Sequence, residues 1–204
     1  MSTLKKSFCD KRYKILTKNK KENGSINNPY MFHSKTNGKL CYLSNFSNHP
    51  IFIPNDAPSI LAPIQGYLFH TVEHAFQTMK YCYSSIKPEA ISSVIEEMQS
   101  NTDPTHAKRL GGKTAFKKRK ITLNISQWQT NEENIMKELL RLKIRQHQTI
   151  NNLVLSLRGK NIYHYESVRG KSAEKLYWGA IFKDGILHGK NVLGKIWMQL
   201  AEEL

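Results

Sequence analysis

The sequence predicts a helix-rich α+β fold, with one domain over residues 31–204 behind a basic extension at 1–30. Three observations carry that expectation. Strong helix-start signals recur along the chain, at Thr71, Asp103-Pro104 and Asn131. Apolar runs such as "PIFIP" and "NIYHY" are too short for helices and are bounded by turn formers. The composition changes at Tyr30, where the polar "KKENGSINNPY" gives way to mixed apolar sequence.

In order, residues 1–30 read as a flexible extension, and "KLCYLSNF" and "PIFIP" as short strands, the second cut by Pro54. "NDAPSILAPIQG" reads as a loop. Thr71 caps a first helix from Val72 to Ser84, and Lys87-Pro88 opens a second. Asp103 caps a third, which Gly111-Gly112 closes. Asn131 opens a long helix whose Ile135, Leu139 and Leu142 recur at helical spacing. Thr149 caps the next, which ends at Gly159. "NIYHY" is strand-like, Asp184-Gly185 is a turn, and a last helix runs from Val192. No internal repeat is visible.

The net charge is +15, and it is uneven. Residues 1–22 hold eight Lys/Arg against Asp10 and Glu22, and "KRLGGKTAFKKRK" (108–120) holds seven with no acid. Such patches attract phosphate, so nucleic acid is an expected partner for both; a solvated basic surface is the bland reading. No stretch reaches the roughly 20 apolar residues that span a bilayer, and no secretory h-region precedes the domain. Cys9, Cys41 and Cys82 form no metal-like pair. Together these features predict a cytoplasmic protein without membrane contact.

"HTVEH" (70–74) fits the H-x-x-E-H pattern of some zinc peptidases. That chemistry needs both histidines on one helical face, and Thr71 as a cap leaves His70 outside the helix. Glu73, Gln77 and Lys80 are separated by four and three residues and so share one face. A carboxylate, an amide and an ammonium there are either a solvated stripe or a site.

The wider pattern favours a site. "YLSNFS" (42–47), "TVEHAFQTMKY" (71–81), "HAKRLGGK" (106–113), "QWQTNEENIMKELLRLKIRQH" (127–147) and "YWGAIFKDGILHGKNVLGKIWM" (177–198) occur in that order. Together they resemble the NADAR, or YbiA-like, N-glycosidase family over about residues 40 to 204. The resemblance implies a single YbiA-like domain that cleaves the bond from ribose C1 to a base nitrogen. It implies early riboflavin-pathway intermediates (ribosylamino-pyrimidine phosphates) as substrates, with removal of ADP-ribose from guanine as the alternative. No metal or cofactor is implied.

By the same resemblance, Glu73 is the essential carboxylate, which can stabilise positive charge at C1 and activate water. Trp128 holds the base, its bland reading being a core tryptophan. Lys80 binds phosphate or acts as an amine nucleophile. Asn45, Gln77, Trp178, Gly179 and Asn191 are expected at substrate-binding or scaffold positions. One position departs: a family Asp three residues before the Trp-Gly pair is replaced by Lys175. Glu174 next to it is expected to take the role; if Lys175 faces the substrate instead, it adds phosphate-binding charge. A family Arg in the last helix is Ala201 here. A chain that only binds ADP-ribose or a nucleotide, and one that only binds nucleic acid, are the alternatives from other classes.

Overall fold

The computed structural model describes residues 30–35, 38–167, 172–183 and 186–204. The extension up to residue 29 and the turn expected at Asp184-Gly185 lie outside the described residues. The fold is α+β and helix-rich, with short strands. It forms two compact units: Asn45–Gln148, and a second made of the chain up to Ser44 with Thr149–Leu204.

In the unit of Asn45–Gln148, β2 (Ile51–Phe52) pairs antiparallel with β3 (Leu68–Phe69). Gly66, at φ 82°, makes the left-handed turn between them, where a side chain would be strained. The stretch expected as a loop contains a 3-10 helix, Ser59–Ile64, whose Leu61 and Ile64 are buried. α1 spans Val72–Cys82, two residues shorter than expected. Its cap is Thr71, whose hydroxyl accepts from the His74 backbone N–H at 3.4 Å. Burial runs almost all round this helix, so α1 is a core element.

A 3-10 turn at Pro88–Ala90 leads into α2 (Ile91–Gln99). α3 (Pro104–Leu110) begins as expected, with Asp103 accepting from Thr105 N at 2.8 Å and Pro104 at the first helical position. A further short helix, α4 (Lys113–Lys118), follows Gly111-Gly112 directly. Tyr81, Val94, Met98, Ala107 and Phe116 form one apolar cluster that ties α1 to α2, α3 and α4.

The long helix, α5 (Ile125–Gln146), corrects the sequence reading. Its cap is Asn124, which accepts from Gln127 N at 3.2 Å, and Asn131 lies inside the helix. The buried stripe therefore starts at Trp128 and continues through Glu132, Ile135, Leu139 and Leu142. Asn131, a good cap residue just before the regular spacing of Ile135, Leu139 and Leu142, made the helix seem to begin there.

The other unit holds β1 (Tyr30–Phe32), parallel to β4 (Ile162–His164), and the hairpin of β5 (Ile181–Lys183) with β6 (Ile186–His188). The run expected as a first strand, "KLCYL", is a 3-10 helix at Lys39–Leu43. α6 (Gln148–Ser156) starts one residue before the expected cap at Thr149. α7 (Val192–Glu202) closes the chain, and its fully buried Trp197 donates its indole N–H to the Leu43 carbonyl at 2.9 Å. No described helix is long and apolar enough to cross a membrane.

Candidate active site

Glu73 stands in the first turn of α1, 6% exposed, and Gln77 one turn later is 5% exposed. These values rule out a solvated stripe. The Glu73 backbone N–H donates to the Asn45 carbonyl at 3.1 Å, which ties α1 to the "SNF" segment. Gln77 Nε2 donates to Glu73 Oε1 at 2.8 Å. Gln77 can sit there because residue 111 is glycine: a Cβ at 111 would lie 1.9 Å from Gln77 Oε1. Gly111 has ordinary backbone angles, so space rather than conformation requires it.

Burial pushes the Glu73 carboxyl above its usual range. Lys108 opposes this most, followed by the Gln77 bond, Lys80 and the Asn45 amide. Asn45 Nδ2 also approaches Met136 Sδ at 3.4 Å. Asn45 Oδ1 and Gln77 Oε1 are buried and accept no hydrogen bond from the described residues.

Lys80 continues the same face. Its Nζ donates to the Gly111 carbonyl at 3.4 Å and lies 5.7 Å from the centroid of the Trp128 ring. Burial lowers its pKa, the charges of Glu73 and Glu132 oppose that shift, and Lys108 adds to it. Trp128 is 4% exposed, packed by Phe76 at 5.0 Å and Tyr83 at 5.7 Å between ring centroids. Its rings are covered here, so a base can stack on the indole only where a neighbour such as Lys80 yields its place.

Asn45, Glu73, Gln77, Lys80 and Trp128 thus all belong to the Asn45–Gln148 unit, and α1 is the element that they share or pack against. Two charged members of this group escaped the sequence reading. Lys108 lay inside a basic run without a role of its own. Glu132, one turn after Trp128, offered only its i,i+4 spacing as a signal.

His74 is held by protein partners at both ring nitrogens. Nε2 meets the Asn101 carbonyl at 2.9 Å, so it carries the proton, and Nδ1 accepts from the Thr71 hydroxyl at 2.8 Å. His70 Nε2 meets the Gln99 carbonyl at 2.9 Å. Among the described residues no group of three or more His, Cys, Asp or Glu side chains gathers to hold a metal.

The remaining expected residues belong to the other unit. Asn191, at φ 51°, starts α7 and works as a scaffold: Oδ1 accepts from His164 N and Nδ2 donates to the Ile162 carbonyl, both at 2.9 Å. Gly179 is buried where a Cβ would come within 2.5 Å of Glu166 Cβ. Trp178 is half-buried, its ring edge-on to Tyr177 at 5.4 Å. Glu174 and Lys175 lie in an exposed 3-10 turn, Ala173–Lys175. Glu174 accepts from Ser172 Oγ and meets His188 Nδ1 at 3.2 Å. The Ser172 bond, with smaller help from His188, lowers the Glu174 pKa.

Comparison with known proteins extends this picture. N-glycosidase YbiA of Escherichia coli (strain K12) is 28% identical over 162 residues, 79% of either chain, and N-glycosidase YbiA of Shigella flexneri matches to the same extent. The NMR structure of the E. coli protein YbiA is similar in fold, with a TM-score of 0.57 at 24% identity, over 85% of this chain and 84% of that one. The model of the NADAR domain family matches residues 31–204, and the chain belongs to that family.

Proposed function

We propose that the chain is an N-glycosidase that hydrolyses the bond between a ribose C1 and a base nitrogen, with Glu73 as the carboxylate at C1. The observation that carries this reading is a buried Glu73 held by Gln77 and Asn45 and set among the charges of Lys80 and Lys108. The two YbiA relatives are named for the same class of reaction. As the C1–N bond breaks, its electron pair leaves with the base nitrogen and positive charge develops on the ribose. The ionised Glu73 stabilises that charge and accepts a proton from the water that attacks C1. The products are the free sugar hemiacetal and the base, which takes up a proton. Asn45 Oδ1 and Gln77 Oε1, buried acceptors without donors among the described residues, offer places for substrate O–H or N–H groups.

For the substrate, we favour ribosylamino-pyrimidine phosphates of early riboflavin synthesis. Lys80 and Lys108 put two cations near Glu73, which suits a phosphorylated ribose. Removal of ADP-ribose from guanine is the second reading, supported by the exposed Lys and Arg side chains of α3 and α4 continuing from Lys108. The deciding experiment incubates the protein with each substrate class and follows free base and free sugar by chromatography. Base release from the pyrimidine riboside phosphate supports the first reading, and release of ADP-ribose from guanine the second. Binding of both with release of neither overturns the enzyme reading in favour of a binding module.

A further inference from the structure

Lys143, on α5, is fully buried, which is rare for a lysine and costly unless its N–H groups are bonded. Its Nζ donates to Ser47 Oγ at 2.6 Å. Seven residues earlier, and so on the same face of the helix, Met136 Sδ accepts from Asn45 Nδ2 at 3.4 Å. Beyond Lys143, Gln146 clasps both backbone groups of Phe52: Oε1 accepts from its N–H at 2.8 Å, and Nε2 donates to its carbonyl at 2.6 Å. His147, just past the helix, meets the Pro50 carbonyl with Nε2 at 2.7 Å. The segment from Asn45 to Phe52 is therefore laid along the C-terminal half of α5. Asn45 begins that segment, and its carbonyl accepts from the Glu73 backbone N–H at 3.1 Å. An amide in the first turn of a helix has no partner within the helix, so this bond seats Glu73 against the segment.

We propose that Lys143 is a positioning residue for the candidate site: by holding the Ser47 hydroxyl from the buried face of α5 it fixes Asn45, and through the Asn45 carbonyl the start of α1 that carries Glu73. Full burial keeps the ammonium away from substrate, so Lys143 acts through Asn45 and is no phosphate ligand. Ser47 is a rigid handle, because its own carbonyl accepts from His49 N–H at 2.8 Å in a tight turn. The contacts of α5 divide by place. Gln146 is exposed and fixes the β2 end of the segment, whereas the Lys143 bond falls two residues from Asn45 and governs the end beside Glu73. A methionine at 143 would fill much the same space without a donor. The role in the site rests on the function proposed above; the tie from Lys143 to Asn45 does not.

The test measures amide hydrogen exchange in the full chain, labelled with ¹⁵N, at Glu73 and, as a reference within the same helix, at Met79. In Lys143→Met and in Ser47→Ala the Glu73 amide should exchange about 10-fold faster relative to Met79, a local opening rather than a global one. Ser47→Thr, which keeps the hydroxyl, should restore the wild-type ratio. Gln146→Ala, which frees the Phe52 end, should leave the ratio unchanged. In the release assay Ser47→Ala should lower kcat by up to about 10²-fold with KM near the wild type, as a misplaced group does, and Ser47→Thr should recover most of it. A Glu73 amide indifferent to Lys143→Met and Ser47→Ala, an equal change in Gln146→Ala, or wild-type turnover in Ser47→Ala overturns the proposal. If Lys143→Met does not fold, the two Ser47 variants decide it. Exchange is read without turnover, so a wild type that releases no base counts against the glycosidase reading and leaves the tie to be judged by exchange.

Discussion

Gln77 Nε2 donates to Glu73 Oε1 at 2.8 Å, one helical turn away, and it does so in a space kept open by the missing side chain of Gly111. The carboxylate is therefore oriented by a residue of its own helix, and that residue is admitted by a glycine of α3's C-terminus.

Gly111→Ala is expected to break this arrangement. The new Cβ would meet Gln77 Oε1 at 1.9 Å and Gln77 Cδ at 2.8 Å, so Gln77 must leave Glu73. Overpacking of this kind costs about 1–3 kcal/mol, measurable by urea unfolding, and turnover should fall with it. Adding Gln77→Ser should restore stability without restoring turnover. Full activity in Gly111→Ala alone would show that Gln77 does not orient Glu73.

The acid side of the pH–rate profile should follow Glu73. The carboxylate must be ionised to accept a proton, and burial raises its pKa, so kcat/KM should climb through a midpoint above the ordinary glutamate range. Lys108 is the largest opposing influence; Lys108→Met should move that limb to higher pH. A limb that moves lower, or does not move, contradicts the assignment.

Stability carries the same sign. A folded pKa above the unfolded one means that the contribution of Glu73 is complete below the unfolded pKa and is lost as pH rises through the folded pKa. Glu73→Gln removes the buried charge and should stabilise the protein at neutral pH by about 1 kcal/mol, as expected where a site residue works against folding. Thermal unfolding at neutral and at acid pH measures this, and the gain should vanish at acid pH.

Much of this site was legible in the sequence, for definable reasons. Thr71 before Val72-Glu73-His74 is a local cap signal, and offsets of four and seven residues fix a shared helical face whatever surrounds it. What surrounds it is not local. Glu73 and Gln77 are buried because α3 and α5 cover α1, and no periodicity within residues 72–82 announces that. The start of α5 at Asn124 was missed because Asn131 offers a second cap residue just before the regular spacing of Ile135, Leu139 and Leu142. "KLCYL" is a short, largely apolar run like a strand, yet it forms a 3-10 helix in which only Leu43 is buried. Asn191 was placed by resemblance alone, which gave no hint that both ends of its amide hold β4.

Glu174 and Lys175 remain the test of the departure from the family pattern. We expect Glu174→Gln to lower kcat by roughly 10²-fold or more, with Glu174 acting as the ionised carboxylate that its Ser172 bond favours. Lys175→Ala should leave both KM and kcat near the wild type. Unchanged turnover in the first, with weakened binding in the second, would transfer the role to Lys175.

The central claim is that Glu73 performs the chemistry, and single-turnover release of base from a ribosylamino-pyrimidine phosphate, wild type beside Glu73→Gln, tests it most directly. Gln at 73 keeps the shape and the bond from Gln77 but cannot stabilise the cation or take a proton from water. The account predicts a loss of at least about 10²-fold in the release rate with substrate binding retained. Release at the wild-type rate by folded Glu73→Gln would contradict it.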